Sequence, residues 1–219
     1  MSTALESIQE KIKAQLVRAR ETVPMPTARS ISVKGKVFAL PTGQSSQGPL
    51  NAVILDWRNF NKYYTAAYNP QKPEPPQCFA IHSVISEMKP GAEVTKPGHA
   101  DCAGCTFNKF ASAATGRGKA CRNTVRLAVV PSDFTTDTEP MLINISPTGL
   151  TGWASYINGL TVVEKHPVQV VTEISFDANQ AYPKLVFKMA AAVSNVEQAW
   201  AIREKAQAML DAVPVSDND

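Results

Sequence analysis

Apolar residues recur at helical intervals in three parts of the chain, residues 1–23, 146–160 and 195–210. Repeats of three and four positions place such residues on one side of an α-helix, so a helix is predicted in each part. Pro24 and Pro26 end the first helix, because proline has no amide hydrogen to donate and its ring disrupts the helix. Two of the three predicted helices therefore flank the rest of the chain.

Between these helices the pattern is typical of short strands rich in β-branched residues. The predicted strands are residues 31–40, 50–57, 124–130, 141–145, 168–176 and 182–190. Gly35 is predicted to form a bulge in the first of them. Turn residues separate the strands and helices do not alternate with them, which favours a small antiparallel barrel or sandwich over a parallel sheet. The predicted class is α+β, mainly β.

Residues 78–121 show neither the helical spacing nor the strand pattern. A compact domain rarely contains so long an irregular stretch without a reason. All four cysteines of the chain, Cys78, Cys102, Cys105 and Cys121, lie within it. Two residues separate Cys102 from Cys105, the spacing that lets both thiolates bind one ion. The sequence predicts a structural zinc site that closes this loop, with His99 as an alternative to one of the thiolates.

Other interpretations of the cysteines remain open at this stage. Four thiolates can also hold an iron–sulfur cluster. A CxxC pair can be a redox dithiol, although that chemistry usually occurs at a helix start in a βαβ fold, which this pattern lacks. Unrelated buried cysteines are the simplest alternative. A structural zinc site leaves no open position for water, so the zinc prediction does not imply catalysis.

Positive charge concentrates in the middle of the chain, where residues 58–126 carry ten Lys and Arg against four Asp and Glu. Residues 127–219 carry five against eleven. A segregated basic region indicates a polyanionic partner, although a solvated basic face is the alternative. Aromatic residues lie among the cations, and single-stranded nucleic acids bind through base stacking and phosphate neutralisation. Trp57 ends an apolar strand and is predicted to belong to the core.

The predicted nucleic-acid contacts fall into two groups. The cations expected to neutralise phosphates are Lys62, Lys109, Arg117, Lys119, Arg122 and Arg126. The aromatic residues expected to stack on bases are Tyr63, Tyr64, Phe107 and Phe110. Arg122 and Arg126 are an even number of residues apart, so they are predicted to share one face of a strand.

Several other functions are disfavoured by the sequence. His82, His99 and His166 occur in no catalytic motif, and the glycines near Lys119 lack the spacing of a phosphate-binding loop. We therefore expect no enzymatic activity. The longest apolar runs are far shorter than a membrane span, and the start of the chain lacks the apolar segment of a secretory signal. A cytoplasmic location without membrane contact is expected.

The order of motifs resembles the single-stranded DNA-binding proteins of tailed phages. It runs from Asn61-Lys-Tyr-Tyr64 through Cys78 and the Cys102–Cys105 pair to Gly118-Lys-Ala-Cys121-Arg122, and the resemblance covers about residues 53–187. It implies an oligonucleotide-binding (OB) barrel with an inserted zinc subdomain. It also implies coating of single strands in replication and recombination, in the host cytoplasm, and partner recruitment by an acidic tail. The tail Ser216-Asp-Asn-Asp219 is a weak version of that feature.

The predicted organisation is an N-terminal helix over residues 1–23, an OB-like domain over 30–213 with a zinc-binding insertion at 78–121, and a polar tail at 214–219. The expected partners are single-stranded DNA and, by resemblance, replication or recombination proteins. One alternative is a zinc-stabilised protein-interaction module whose terminal helices dock a partner. A less favoured alternative is a zinc-containing enzyme of nucleic-acid metabolism, which requires an open metal position.

Overall fold

The computed structural model describes residues 10, 11, 15, 29–66, 69, 71 and 74–212. Of the predicted N-terminal helix it describes only Glu10, Lys11 and Gln15, which are helical and exposed. The rest of that prediction, and the predicted tail at residues 214–219, lie outside the described residues.

Within the described residues, nine strands form one sheet, which curls into a half-barrel, and two α-helices pack on it. The strands are β1 (Ser30–Lys34), β2 (Val37–Ala39), β3 (Ser45–Ser46), β4 (Leu50–Tyr63), β5 (Cys78–His82), β6 (Cys121–Pro131), β7 (Met141–Ile145), β8 (Val170–Phe176) and β9 (Leu185–Ala192). The helices are α1 (Leu150–Val162) and α2 (Val196–Leu210). The prediction of a mainly β protein with helices is confirmed.

The strands follow the order β3-β2-β1-β7-β6-β4-β8-β9, with β5 on the free part of the β4 edge. All pairings are antiparallel except that of β1 with β7. The central strand β4 is 14 residues long, so it pairs with β8 near its start and with β5 near its end. The end of β4 therefore lies between the two strands that begin with a cysteine.

Three details differ from the sequence prediction. Gly35 does not form a bulge: Gly35 and Lys36 have φ values of 56° and 60° and make the turn of a hairpin between β1 and β2. Register shifts occur instead in β4, between Ile54 and Asp56 where it pairs with β6, and in β8, between Val171 and Thr172 where it pairs with β9. The segment predicted to be irregular begins with a strand, β5, because Cys78 and the residues after it pair with β4.

The two faces of the sheet bury separate apolar clusters. On one face Ile54, Leu127 and Trp153 belong to a cluster against which α1 packs. Trp57 joins this cluster and makes an edge-to-face contact with Trp153 at a centroid distance of 5.5 Å, so its predicted place in the core is confirmed. On the other face Leu55 belongs to a cluster that includes the buried side of α2.

Helix α2 is also held to the sheet by ionic contacts. Asp56, only 6% exposed, lies with its Oδ2 2.8 Å from Arg203 of α2. Gln207 donates to the same oxygen at 3.2 Å. Beyond the helix end, Asp211 accepts a hydrogen bond of 2.7 Å from Arg58 Nε. Within the described parts of the chain, no helix is both long and apolar enough to cross a membrane.

Candidate nucleic-acid interface and cysteine pocket

All four cysteines line one small pocket beside the end of β4. Cys78 begins β5 and Cys121 begins β6, and both are registered opposite Tyr63 of β4. Residues directly opposite one another project to the same face of a sheet, so the two thiols flank the Tyr63 side chain. The loop between β5 and β6 adds Cys102 and Cys105, and His99 also lines the pocket.

Two amides lie beside these sulfurs and favour their ionised form. The backbone amide of Gly98 acts on Cys78, and the side chain of Asn61 acts on Cys102. Amide donors of this kind are common around thiolate metal ligands, because they orient the sulfur and stabilise its negative charge. His99 lies against Gly104, where any side chain would overlap its ring.

Burial makes the thiols of Cys78, Cys102 and Cys121 harder to ionise, because it raises the pKa of each. Burial, followed by the neighbouring Cys102, Cys105 and Cys78, raises the pKa of Cys121 to about 12. Burial is also the main cause that raises the pKa of Cys78 and that of Cys102. The four groups are thus close enough to influence one another's charge.

The donor chemistry of the pocket suits zinc, but the side chains do not converge on a metal position. In the described part of the chain, no group of three or more His, Cys, Asp and Glu side chains is arranged to hold a metal ion. The register of the strands explains why the thiols of Cys78 and Cys121 lie apart. Cys78 and Cys121 lie on either side of β4, and two strand spacings amount to about 9.5 Å.

A network of side-chain amides joins the sheet to the cysteine loop. Asn123 of β6 donates to Asn61 of β4 and, at 3.0 Å, to Asn108 of the loop. The Lys119 ammonium donates to Asn123 at 2.8 Å and to Asn108 at 3.2 Å. Asn108 in turn donates to the carbonyl of Cys102 at 2.8 Å. These bonds hold the loop against the strands that begin with Cys78 and Cys121.

Two grooves open beside this network. The first, of about 910 Å³, lies between the sheet, α1 and the loop at residues 83–88, and we call it the amide groove. Its floor includes Trp57 and Trp153, and Asn59, Asn61 and Asn123 supply polar groups. Lys119 is the one charged residue among the described residues that line it.

The second groove, of about 630 Å³, combines three cations with hydroxyl and amide groups, and we call it the cationic groove. Lys62 and Arg122 form a registered pair on β4 and β6, and Lys34 comes from β1. The other polar lining residues are Ser30, Ser32, Thr124, Asn144, Ser146, Thr148 and Tyr182. No Asp or Glu is found among its described lining residues. Thr124 lines both grooves.

The structure brings together only part of the predicted nucleic-acid set. Lys62 and Arg122 share the cationic groove, with Lys62 buried in the floor and Arg122 exposed. Lys119 lines the amide groove. Lys109, Phe110 and Arg117 are exposed on the cysteine loop and line neither groove.

The predicted stacking residues near β4 are engaged within the protein. Tyr63 and Phe107 stack on each other, with ring centroids 4.2 Å apart. Tyr64 is half-buried just beyond the strand end. Phe110, in contrast, is 78% exposed.

The prediction that Arg126 contacts phosphate does not agree with its position. Arg126 is only 3% exposed, its guanidinium lies 4.1 Å from the Phe60 ring centroid, and it donates to the carbonyl of Ala212 at 3.1 Å. Arg122 and Arg126 lie on one face of β6, as their even spacing predicts, but in different environments, because Ala212, just after α2, lies against Arg126 while Arg122 is exposed. Arg126 therefore has a structural role.

Sequence reasoning missed Lys34, Tyr182 and the linked amides Asn61, Asn108 and Asn123. In the sequence, Lys34 is only one polar position of the predicted strand at residues 31–40. Tyr182 falls in the predicted strand at residues 182–190, whereas the structure places it in the turn before β9. These amides come from distant parts of the chain, so no local motif predicts that they form a network. Comparison with protein-family models, curated proteins and solved structures found no match to this chain.

Proposed function

We propose that this protein binds single-stranded DNA without strong sequence preference, as a non-enzymatic protein with an OB-like architecture. The observation that carries the proposal is the cationic groove, in which Lys34, Lys62 and Arg122 meet without an acidic side chain among the described lining residues. Lys62 and Arg122 are registered opposite each other on β4 and β6, which places two positive charges at neighbouring positions along which a phosphate backbone can run.

The rest of the groove supports a polyanion of this kind. Its serine, threonine and asparagine side chains can donate to phosphate oxygens, contacts that fix a backbone without reading bases. At Thr124 the groove adjoins the amide groove, whose apolar walls and amide groups suit unpaired bases. A single strand exposes both its backbone and its bases, whereas a duplex keeps its bases stacked.

The proposed role of the cysteine pocket is structural. Cys78, Cys102, Cys105 and Cys121, with His99 as the alternative to one thiol, would hold a zinc ion that ties the loop to β5 and β6. Zinc supplies coordination bonds that replace a hydrophobic core in such a loop. Support comes from the shared pocket and from the amide donors to Cys78 and Cys102. The metal has no catalytic part in this proposal.

By the resemblance stated above, the cellular role would be to coat exposed strands during DNA replication or recombination, in the cytoplasm of a host cell, with proteins of those processes as partners. A curled sheet with two helices packed on it is compatible with an OB-like architecture.

A binding titration tests the proposal. A fluorescently labelled oligo-dT is titrated with protein at several salt concentrations, and its anisotropy is recorded. We expect saturable binding at low salt whose logarithmic salt slope has a magnitude of about 1.4, because Lys34 and Arg122 are exposed, Lys62 is buried, and each phosphate contact contributes about 0.7 on single strands. A duplex of equal length should bind more weakly.

Matched variants locate the site. Arg122→Ala and Lys34→Ala should each weaken binding to all sequences and reduce the salt slope by about 0.7. Lys165→Ala removes an exposed cation that does not line the groove and should change neither value. No binding of oligo-dT at low salt by folded, metal-loaded protein would refute the proposed function.

A further inference from the structure

We infer that Tyr182 is a stacking platform for a nucleobase at the edge of the cationic groove, and that the turn carrying it is braced for this purpose. The inference rests on the proposed function, because it names a further contact of the same groove. Tyr182 lines the groove with Lys62 and Arg122, and it is 46% exposed.

The ring of Tyr182 is available for an incoming base. No described aromatic side chain stacks on it, whereas Tyr63 is covered by Phe107 and the Tyr156 hydroxyl bonds to Thr172 at 2.6 Å. Tyr182 is the one aromatic residue among the described residues that line the groove. A base stacked there would have its flanking phosphates near the groove cations, which is how single-strand sites combine the two interactions.

Hydrogen bonds brace the turn between β8 and β9 that carries Tyr182. Asp177 Oδ2 accepts a hydrogen bond of 3.1 Å from Lys184, and its Oδ1 accepts one of 3.0 Å from the Asn179 amide. The Lys184 amide donates to the Tyr182 carbonyl at 2.9 Å, which closes a tight bend around Pro183. A turn whose backbone is held in this way loses little conformational entropy on binding.

The brace also connects the two walls of the groove. Lys36, in the turn between β1 and β2, donates to the Asp177 carbonyl at 3.1 Å. Strand β1 supplies Lys34 to one wall, and the residues around Tyr182 form the other. Asp177 is therefore a positioning residue: it contacts no groove occupant itself but fixes the element that carries Tyr182.

The test compares an oligo-dT with an otherwise identical strand that carries abasic sites, measured by anisotropy at one salt concentration. Wild-type protein should bind the abasic strand more weakly. Tyr182→Ala should weaken oligo-dT binding about 5-fold to 100-fold, the range seen for loss of one stacked base, with an unchanged salt slope because tyrosine carries no charge. On the abasic strand, Tyr182→Ala should bind about as wild type does.

Further variants separate stacking from structure. Tyr182→Trp and Tyr182→Phe should retain affinity for oligo-dT, and Asp177→Ala should show a smaller loss that is again confined to strands with bases. Trp200→Ala removes a half-exposed aromatic of α2 outside the groove and serves as the matched control. Thermal unfolding of each variant confirms that it is folded.

Two results would overturn the inference while leaving the proposed function intact. One is wild-type affinity of Tyr182→Ala for oligo-dT. The other is an equal loss on the abasic strand and on oligo-dT, which would mean that the ring does not act through a base. If wild-type protein itself fails to bind oligo-dT, the proposed function fails first.

Discussion

Tyr63 and Phe107 lie face to face, with ring centroids 4.2 Å apart and an interplanar angle of 15°. Tyr63 ends the central strand between the two strand-borne cysteines, and Phe107 belongs to the short 3₁₀ turn that follows Cys105. The stack therefore closes the cysteine loop onto the sheet from the side of the pocket. Gly98 allows this arrangement, since a Cβ there would lie 2.9 Å from the Phe107 ring.

Loss of this stack should destabilise the protein. We expect Phe107→Ala to lower the free energy of unfolding by about 2 kcal/mol, from the stacking interaction and the apolar area that both rings bury. Urea unfolding measures the change. Phe110→Ala, which truncates a ring that is 78% exposed, should change it by less than about 0.5 kcal/mol. Equal effects of the two variants would show that the stack contributes no stability.

Zinc content is the direct measure of the cysteine pocket. Protein purified without chelator should contain one zinc per chain, and Cys102→Ser should lose it, because three thiolates and one hydroxyl bind zinc far more weakly. His99→Ala separates the two ligand sets: unchanged affinity indicates four thiolates, and a large loss indicates that His99 is a ligand. His82→Ala alters a histidine outside the pocket and is the control. Absence of zinc even after addition to reduced protein would contradict the site.

Substitution of Arg126 should affect the stability of the protein, and substitution of Arg122 should affect its binding to DNA. Arg126→Ala should lower the free energy of unfolding by about 3 kcal/mol, because it removes a buried cation–π contact and a charged hydrogen bond to Ala212. Arg122→Ala should leave stability within about 0.5 kcal/mol and reduce the salt slope of DNA binding. A stability loss at Arg122 equal to that at Arg126 would argue against an exposed binding role for Arg122.

The buried carboxylate of Asp56 should be important for the docking of α2. Asp56→Asn removes the charge that faces Arg203 at 2.8 Å and Arg58 at 3.5 Å, and it should cost about 2 kcal/mol, because the half-buried Arg203 loses its carboxylate partner while Arg58 keeps Asp211. Chemical unfolding measures the cost. Glu204→Gln changes an exposed carboxylate of the same helix and should have almost no effect.

His166 should make stability depend on pH. Burial and then the nearby Arg203 lower the pKa of His166 from its ordinary value of 6.5, and Asp56 partly opposes them. Above that value the imidazole is neutral in both folded and unfolded chains. As the pH falls below about 6.5, the unfolded chain takes up the proton first, so stability decreases until the lower folded pKa is reached.

The variant His166→Asn tests this pH dependence. Asparagine can still accept the hydrogen bond that Val168 N donates to His166 Nδ1 at 3.2 Å, but it does not titrate. The fall in unfolding free energy between pH 7 and pH 5 should therefore be smaller in the variant. A profile identical to that of the wild type would assign the pH dependence to other groups.

Local pattern predicted most elements of this fold. Strand β7 was predicted with the bounds that the structure gives, and the predicted start of α2 agrees with Asn195, whose side chain accepts from the Gln198 amide at 2.9 Å. These elements depend on alternation, helical spacing and capping, which are properties of neighbouring residues. The same logic placed Trp57 in the core.

Local sequence pattern does not predict which strands pair with one another. Residues 78–82 form a strand because β4 offers them a free edge, and Gly35 makes a turn because the chain folds back to pair β2 with β1. Spacing placed Arg122 and Arg126 on one face of β6 but could not show that Arg126 is buried there, since its burial depends on Phe60 and Ala212.

By itself the sequence determined that two residues separate Cys102 from Cys105 and that positive charge concentrates in the middle of the chain. It also determined which segments alternate apolar and polar residues. All of these are set by covalent order. Only the tertiary structure decided that Lys34, Lys62 and Arg122 share one groove, that Tyr63 is covered by Phe107, and that Tyr182 remains exposed. Those relationships join residues far apart in the chain, and they follow from strand register and packing rather than from any local preference.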